Sequence, residues 1–95
     1  MIVEQTNFKP GPELTFKSVV SIRARIYQAL KDDASDRFCL DLSEVKDCDS
    51  AGLALLIELR KLCKQSNKTF EVIGVSPETR SLAEFCGVDV ILTTA

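Results

Sequence analysis

With 95 residues, 45% of them hydrophobic, the chain has enough apolar side chains for one compact core and little room for a cavity that encloses a lipid. Twelve basic and fourteen acidic side chains leave a net charge of −2, so there is no general attraction to nucleic acid or to an anionic membrane surface. No apolar run nears the ~20 residues that cross a bilayer, and Met1-Ile2-Val3-Glu4 lacks the basic and apolar regions of a signal peptide; the expectation is a single cytoplasmic domain over residues 1–95, not inserted in a membrane. Ile2 to Lys9 is β-compatible without clean alternation and reads as an edge strand. Pro10-Gly11-Pro12 reads as a turn, and Glu13 to Lys17 alternates as a half-buried strand. Together they predict an antiparallel N-terminal hairpin. Ser18 is a candidate N-cap for a helix over about 19–32, whose stripe is Val19, Ile22, Ile26, Ala29 and Leu30.

Asp32 to Asp36 is a polar loop. Phe38 to Leu42 is a short, mostly apolar strand of the kind buried on both faces, and its Asp41 is expected to turn to the strand end and accept from loop N–H groups near Ser43 or Val45. A second helix follows from Ser50 to about Gln65 and breaks at Ser66-Asn67-Lys68. Thr69 to Val75 is a strand with Phe70 and Val72 on one face. Ser76-Pro77-Glu78 combines a cap, a proline at the first helical position and an acid in the first turn; Leu82, Phe85 and Cys86 are the expected buried stripe, and Gly87 the stop. Val88 to Leu92 is predicted as a last short strand. Strands alternating with three helices imply an α/β fold with a mixed, mainly parallel sheet edged by the antiparallel hairpin.

The stretch that carries chemistry is Asp47 to Leu56. Asp49 and Ser50 are both good N-cap residues, because their side-chain oxygens accept from free first-turn N–H groups. A phosphate on Ser50 is expected to meet such donors on one side and to be repelled by Asp47 and Asp49 on the other. At 3.6 residues per turn, Gly52, Leu55, Leu56, Leu59, Leu62 and Cys63 share a core face. Ser50, Leu53, Ala54, Ile57 and Lys61 fall on the opposite flank. Two readings stand for that flank: a contact surface for a partner, or residues packed under a neighbouring helix.

Asp49-Ser50-Ala51-Gly52-Leu53, after a strand and a loop containing Leu42-Ser43-Glu44-Val45, resembles the signature of STAS domains, the sulfate-transporter and anti-sigma-factor-antagonist domains. In the antagonists the serine after the aspartate is phosphorylated by a partner kinase, which breaks the complex; Ser50 matches that position. Gly52-Leu53-Ala54-Leu55-Leu56 is similar to the MlaB-type subfamily, small cytoplasmic subunits of ABC transporters that maintain outer-membrane lipid asymmetry. There a threonine often stands where Ser50 is, and its role is contact with the transporter ATPase. The resemblance covers about 38–92. Ala51 departs from it, since many antagonists carry serine there. What it implies is a STAS fold and a non-enzymatic subunit that binds and supports the ATPase of a phospholipid-transporting ABC system through Asp49, Ser50, Leu53, Ala54, Ile57 and Lys61, at most peripheral to the inner membrane through that partner. The alternative it implies is an anti-sigma factor antagonist phosphorylated on Ser50 by an anti-sigma kinase.

Other chemistry has little to stand on. The chain has no histidine, its four glycines are scattered, and Cys39, Cys48, Cys63 and Cys86 form no C-x-x-C pair; no catalytic residue, metal ligand or cofactor is expected. Cys39, Cys63 and Cys86 fall on predicted apolar faces as small hydrophobes, and Cys48 lies in the motif loop.

Overall fold

The computed structural model describes residues 5–31 and 35–92; the expectations that touch residues 2–4, 32–34 and 93–95 lie outside them. Five strands and three helices follow one another: β1 (Gln5–Phe8), β2 (Glu13–Leu14), α1 (Val19–Lys31), β3 (Arg37–Asp41), β4 (Asp47–Cys48), α2 (Ser50–Gln65), β5 (Thr69–Ile73) and α3 (Pro77–Phe85), ending in a 3₁₀ turn (Asp89–Leu92). β1, β3 and β5 form one sheet in that order, and β2 pairs with β4 in a second, two-stranded ladder. All three pairings are parallel. The α/β expectation with three helices and a mainly parallel sheet therefore holds.

The antiparallel hairpin does not form. β1 lies beside β3 with Phe8 opposite Leu40, and β2 lies beside β4 with Leu14 opposite Cys48. The physical reason lies in the Pro10-Gly11-Pro12 segment. Two prolines remove two N–H donors from any ladder that would start at the turn. The Pro12 carbonyl instead accepts from Lys46 and Asp47, at 2.8 and 3.2 Å. β2 is also two residues long where five were expected, because from Thr15 the chain already turns toward α1. Ser18 lies at the mouth of α1 and its carbonyl accepts from Ile22, yet its hydroxyl faces backward, accepting from the Thr15 N–H and donating to the Glu13 carbonyl.

The central strand explains the core. Phe38, Cys39 and Leu40 of β3 are all buried, as a strand covered on both faces requires. Phe38 sits between Phe8 and Phe70, stacked on the latter with centroids 6.1 Å apart. Ile22 and Ile26 of α1 and Leu55, Leu56, Leu59 and Cys63 of α2 close over it. Asp41 behaves as expected, accepting from the Ser43 N–H at 2.9 Å. That bond holds its carboxyl below the usual carboxylate range.

Helix ends follow their chemistry. Ser76 caps α3 through the Thr79 N–H, with Pro77 next. Asn67 takes the left-handed conformation after α2 (φ 58°), and Gly87 does so after α3 (φ 73°). Two expectations fail at the C-terminal end. Phe85 is 90% exposed and Cys86 is exposed too, because the buried stripe of α3 runs through Thr79 and Ala83 with Leu82 beside it. Residues 89–92 wind as a 3₁₀ turn in place of a strand. Ile91 and Leu92 are both buried, which a turn achieves for neighbouring residues and a half-buried strand does not, since it points them to opposite faces.

Candidate functional site

Asp49 is the N-cap of α2. Its backbone is extended (φ −120°, ψ −173°), and Oδ1 accepts from the N–H groups of Ala51 and Gly52 at 2.9 and 3.1 Å. Oδ2 accepts from Phe16 at 3.0 Å, thirty-three residues away. One carboxylate thus starts the helix and fastens the 15–18 turn beside it. The Phe16 N–H most of all holds this carboxyl below the usual range; burial opposes it, and the Gly52 and Ala51 N–H groups each add less than either. Both oxygens are committed inside the domain, so Asp49 organises the surface and is not a free contact.

A depressed carboxyl stabilises the fold above its unfolded pKa and loses that contribution as pH falls through the folded one. Asp49→Ala should therefore cost about 1–2 kcal/mol at pH 7, the worth of a helix cap. The gap to the native protein should begin to narrow below about pH 4, where an unperturbed aspartate protonates, and keep narrowing until pH passes the lower folded value. Melting curves at pH 7 and pH 3 check this; a gap that is constant across that range would contradict it.

Ser50 is the first residue of α2 and is exposed. The expectation that a phosphate there would find free N–H groups is corrected: Asp49 already occupies those of Ala51 and Gly52. Such a phosphate would stand against an ionised carboxylate with nothing offered in return by these two donors.

The predicted strip on α2 does not survive intact. Leu53 is 2% exposed and belongs to the core. Ile57 is half-buried, packs on the core, and shares a hollow with Ile91 of the 3₁₀ turn. Helical spacing could not foresee this, because the element beside Ile57 comes more than 30 residues later, where the sequence predicts a strand. Leu53→Ala should cost about 2–5 kcal/mol, as a truncated core leucine does. A loss below 1 kcal/mol in a denaturant titration would return Leu53 to the surface. Of the strip, Ser50, Ala54 and Lys61 face solvent.

The surface beside Ser50 instead extends toward α1. A groove of about 280 Å³ lies between the two helices, lined by Val19 and Val20 of α1 and by Ala51, Ala54 and Leu55 of α2. Arg23 and Glu58 bound it: the Glu58 carboxylate accepts from the Arg23 guanidinium at 2.7 Å and from the Tyr27 hydroxyl. Val20 is 79% exposed and Phe16 69%. Two large apolar side chains in water next to an apolar groove were missed from the sequence. The available signal was Val20, which lies off the α1 stripe; Phe16 gave none, because the expected strand over 13–17 set it on the same face as Leu14, and only the early end of β2 exposes it. Cys48 lies beneath the helix start; burial first, then Asp49, pushes its thiol pKa up, which makes it a poor nucleophile.

The family described as "Mlab, STAS domain" matches residues 11–93. The chain belongs to the STAS domain family. Solved structures agree on the fold. This STAS domain is 21% identical to the anti-sigma factor antagonist SpoIIAA in its unphosphorylated form, covering 99% of this chain and 82% of that one with a TM-score of 0.77. It is also 21% identical to the phosphorylated form of SpoIIAA, the Bacillus cell fate determinant, covering 99% and 85% with a TM-score of 0.70. A sulfate transporter family protein from Wolinella succinogenes is 18% identical, with 98% and 76% covered and a TM-score of 0.75. Among the described residues of this STAS domain, no helix is long and apolar enough to cross a membrane.

Proposed function

We propose that this STAS domain is a non-catalytic adaptor that binds and supports the ATPase of an ABC transporter for phospholipids, on the cytoplasmic side of the inner membrane. The observation that carries the reading is the exposed Ser50 hydroxyl at the mouth of α2, next to a groove whose lining there is the uncharged pair Ala51 and Ala54. A small polar contact at the rim of an apolar depression is the arrangement of a protein interface, with an apolar centre and hydrogen bonds at its edge. The MlaB-type family match over 11–93 points the same way. The exposed flank of α2 ends in Lys61 and Lys64, which keeps the helix solvated where no contact is needed.

A second reading, an anti-sigma factor antagonist, is favoured by one observation: Ser50 is open to a kinase and lies beside the ionised Asp49, so a phosphate would act by repelling a partner. Coexpression with the transporter ATPase of the same organism, followed by copurification and intact-mass measurement, separates them. The adaptor reading expects a stable complex and an unmodified mass. Phosphate on Ser50 together with binding to a kinase and no binding to the ATPase would overturn it.

A further inference from the structure

We propose that the groove between α1 and α2 is the seat of a partner helix that inserts apolar side chains over Ala51 and Ala54 and places a lysine or arginine against Glu13 and Asp47. The inference deepens the adaptor reading and rests on it for its biological partner, but its chemistry stands on the groove itself. At about 280 Å³ the groove falls short of the ~300–1,000 Å³ of small-molecule sites, and it is open along its length. What fits is a row of side chains from a third helix, set as a ridge between two others. The small side chains of Ala51 and Ala54 let that ridge come close, Val20 in the lining stands exposed to be covered, and Phe16 stands exposed in the neighbouring hollow.

Charge selects the occupant. Next to the groove, on the other side of the Asp49 cap that starts the helix carrying Ala51, lies a hollow lined by Glu13, Phe16, Asp47 and Asp49, with Lys17 as the single cation of its lining. Asp49 is spent on three backbone N–H groups, and Glu13 accepts from the Thr15 hydroxyl at 2.6 Å. Asp47 is exposed. The opposite end of the groove is internally neutral, because Arg23 and Glu58 pair with each other. The field over this end is therefore negative, which repels anionic headgroups and phosphates and attracts a cationic side chain. An apolar ridge with a basic residue at the Phe16 end satisfies both halves of the surface.

The test uses two synthetic helical peptides with leucines at i, i+4 and i+7, one flanked by lysines and the other by glutamates, titrated into the isotope-labelled domain. The lysine peptide should shift the amides of Phe16, Val20, Ala51 and Ala54 and bind about tenfold more tightly than the glutamate peptide. The double variant Glu13→Lys, Asp47→Lys should reverse that order, with an unchanged melting curve as evidence of an intact fold. Equal binding of the two peptides, shifts on another face, or no shift at millimolar lysine peptide would overturn the proposal. Failure of ATPase copurification while the lysine peptide still fills the groove would overturn the adaptor reading alone. A bound ATPase that leaves these four amides unmoved would overturn the present inference alone.

Discussion

Gly52→Val is expected to lower stability by about 3 kcal/mol, at or beyond the upper end of what overpacking costs. A Cβ at Gly52 would lie 2.2 Å from the Leu14 carbonyl oxygen, 2.9 Å from the Leu14 Cγ and 3.1 Å from the Cys48 Sγ. A side chain can rotate away from such a contact; the backbone oxygen of β2 cannot. That oxygen also accepts from the Asp49 N–H at 3.2 Å, so moving it loosens the cap residue itself. Even Gly52→Ala should destabilise, although alanine in a helix is worth up to ~1 kcal/mol over glycine. The steric term is the larger and fixes the sign. For a domain of this size about 3 kcal/mol corresponds to a melting shift on the order of 10–20 °C. An unchanged midpoint for either variant would show that α2 and β2 are not in contact at this point.

Gly52 also shows how much of the fold was legible. Its place on the core face of α2 followed from 3.6-residue spacing, and the structure sets that face against β2 at Leu14. Which strand it meets was not readable, because the partner, Leu14, was assigned to a hairpin. Hairpin logic weighs the nearest turn signal. The real partner of β2 is β4, more than thirty residues later, chosen by a ladder that uses the Pro12 carbonyl. Periodicity sees faces within an element and is blind to such long-range pairing. The same limit explains Phe85 and Ile91. Each has an apolar side chain in an apolar context, and only the packing of α3 and the 3₁₀ turn on the sheet decides that Ile91 goes in and Phe85 stays out.

The candidate site divides along the same line. Asp49 and Ser50 were found because capping chemistry is local, a side-chain oxygen reaching N–H groups two and three residues ahead. The second half of Asp49's role, its bond to Phe16, joins segments that no local pattern connects. That bond sets Phe16 beside Ser50 and turns the exposed surface toward α1. Leu53 and Ile57 were left as either surface or buried on spacing alone; burial assigns Leu53 to the core and Ile57 to its margin.

The second large effect is expected at Ser50, and there binding and folding separate. Ser50→Arg should cost the fold no more than about 1 kcal/mol, the worth of an exposed cation against the N-terminal end of the helix dipole, partly offset by the neighbouring ionised Asp49. In an interface the same substitution buries a charge without a partner, costing about 2–5 kcal/mol, a loss of thirtyfold or more in affinity. On the adaptor reading, the ATPase activity of the transporter should fall with it and the outer-membrane barrier should weaken. Ser50→Asp should also release the partner while keeping the helix, because the roughly 0.3–1 kcal/mol that the helix dipole gives a carboxylate at its N-terminus offsets repulsion by the ionised Asp49. Ser50→Thr discriminates between the two functions. An adaptor that needs a small hydroxyl accepts it, and Ser50→Ala should then lose only the roughly 0.5–1.5 kcal/mol of one hydrogen bond. An antagonist responds to Ser50→Ala in the opposite sense, staying locked to its partner because nothing can be phosphorylated. Titration of the four variants against the purified ATPase, with melting curves alongside, yields an ordering: Ser50→Thr near the native protein, Ser50→Ala slightly weaker, Ser50→Asp and Ser50→Arg far weaker. Equal affinity for Ser50→Arg and the native protein would remove Ser50 from the interface, whatever the partner.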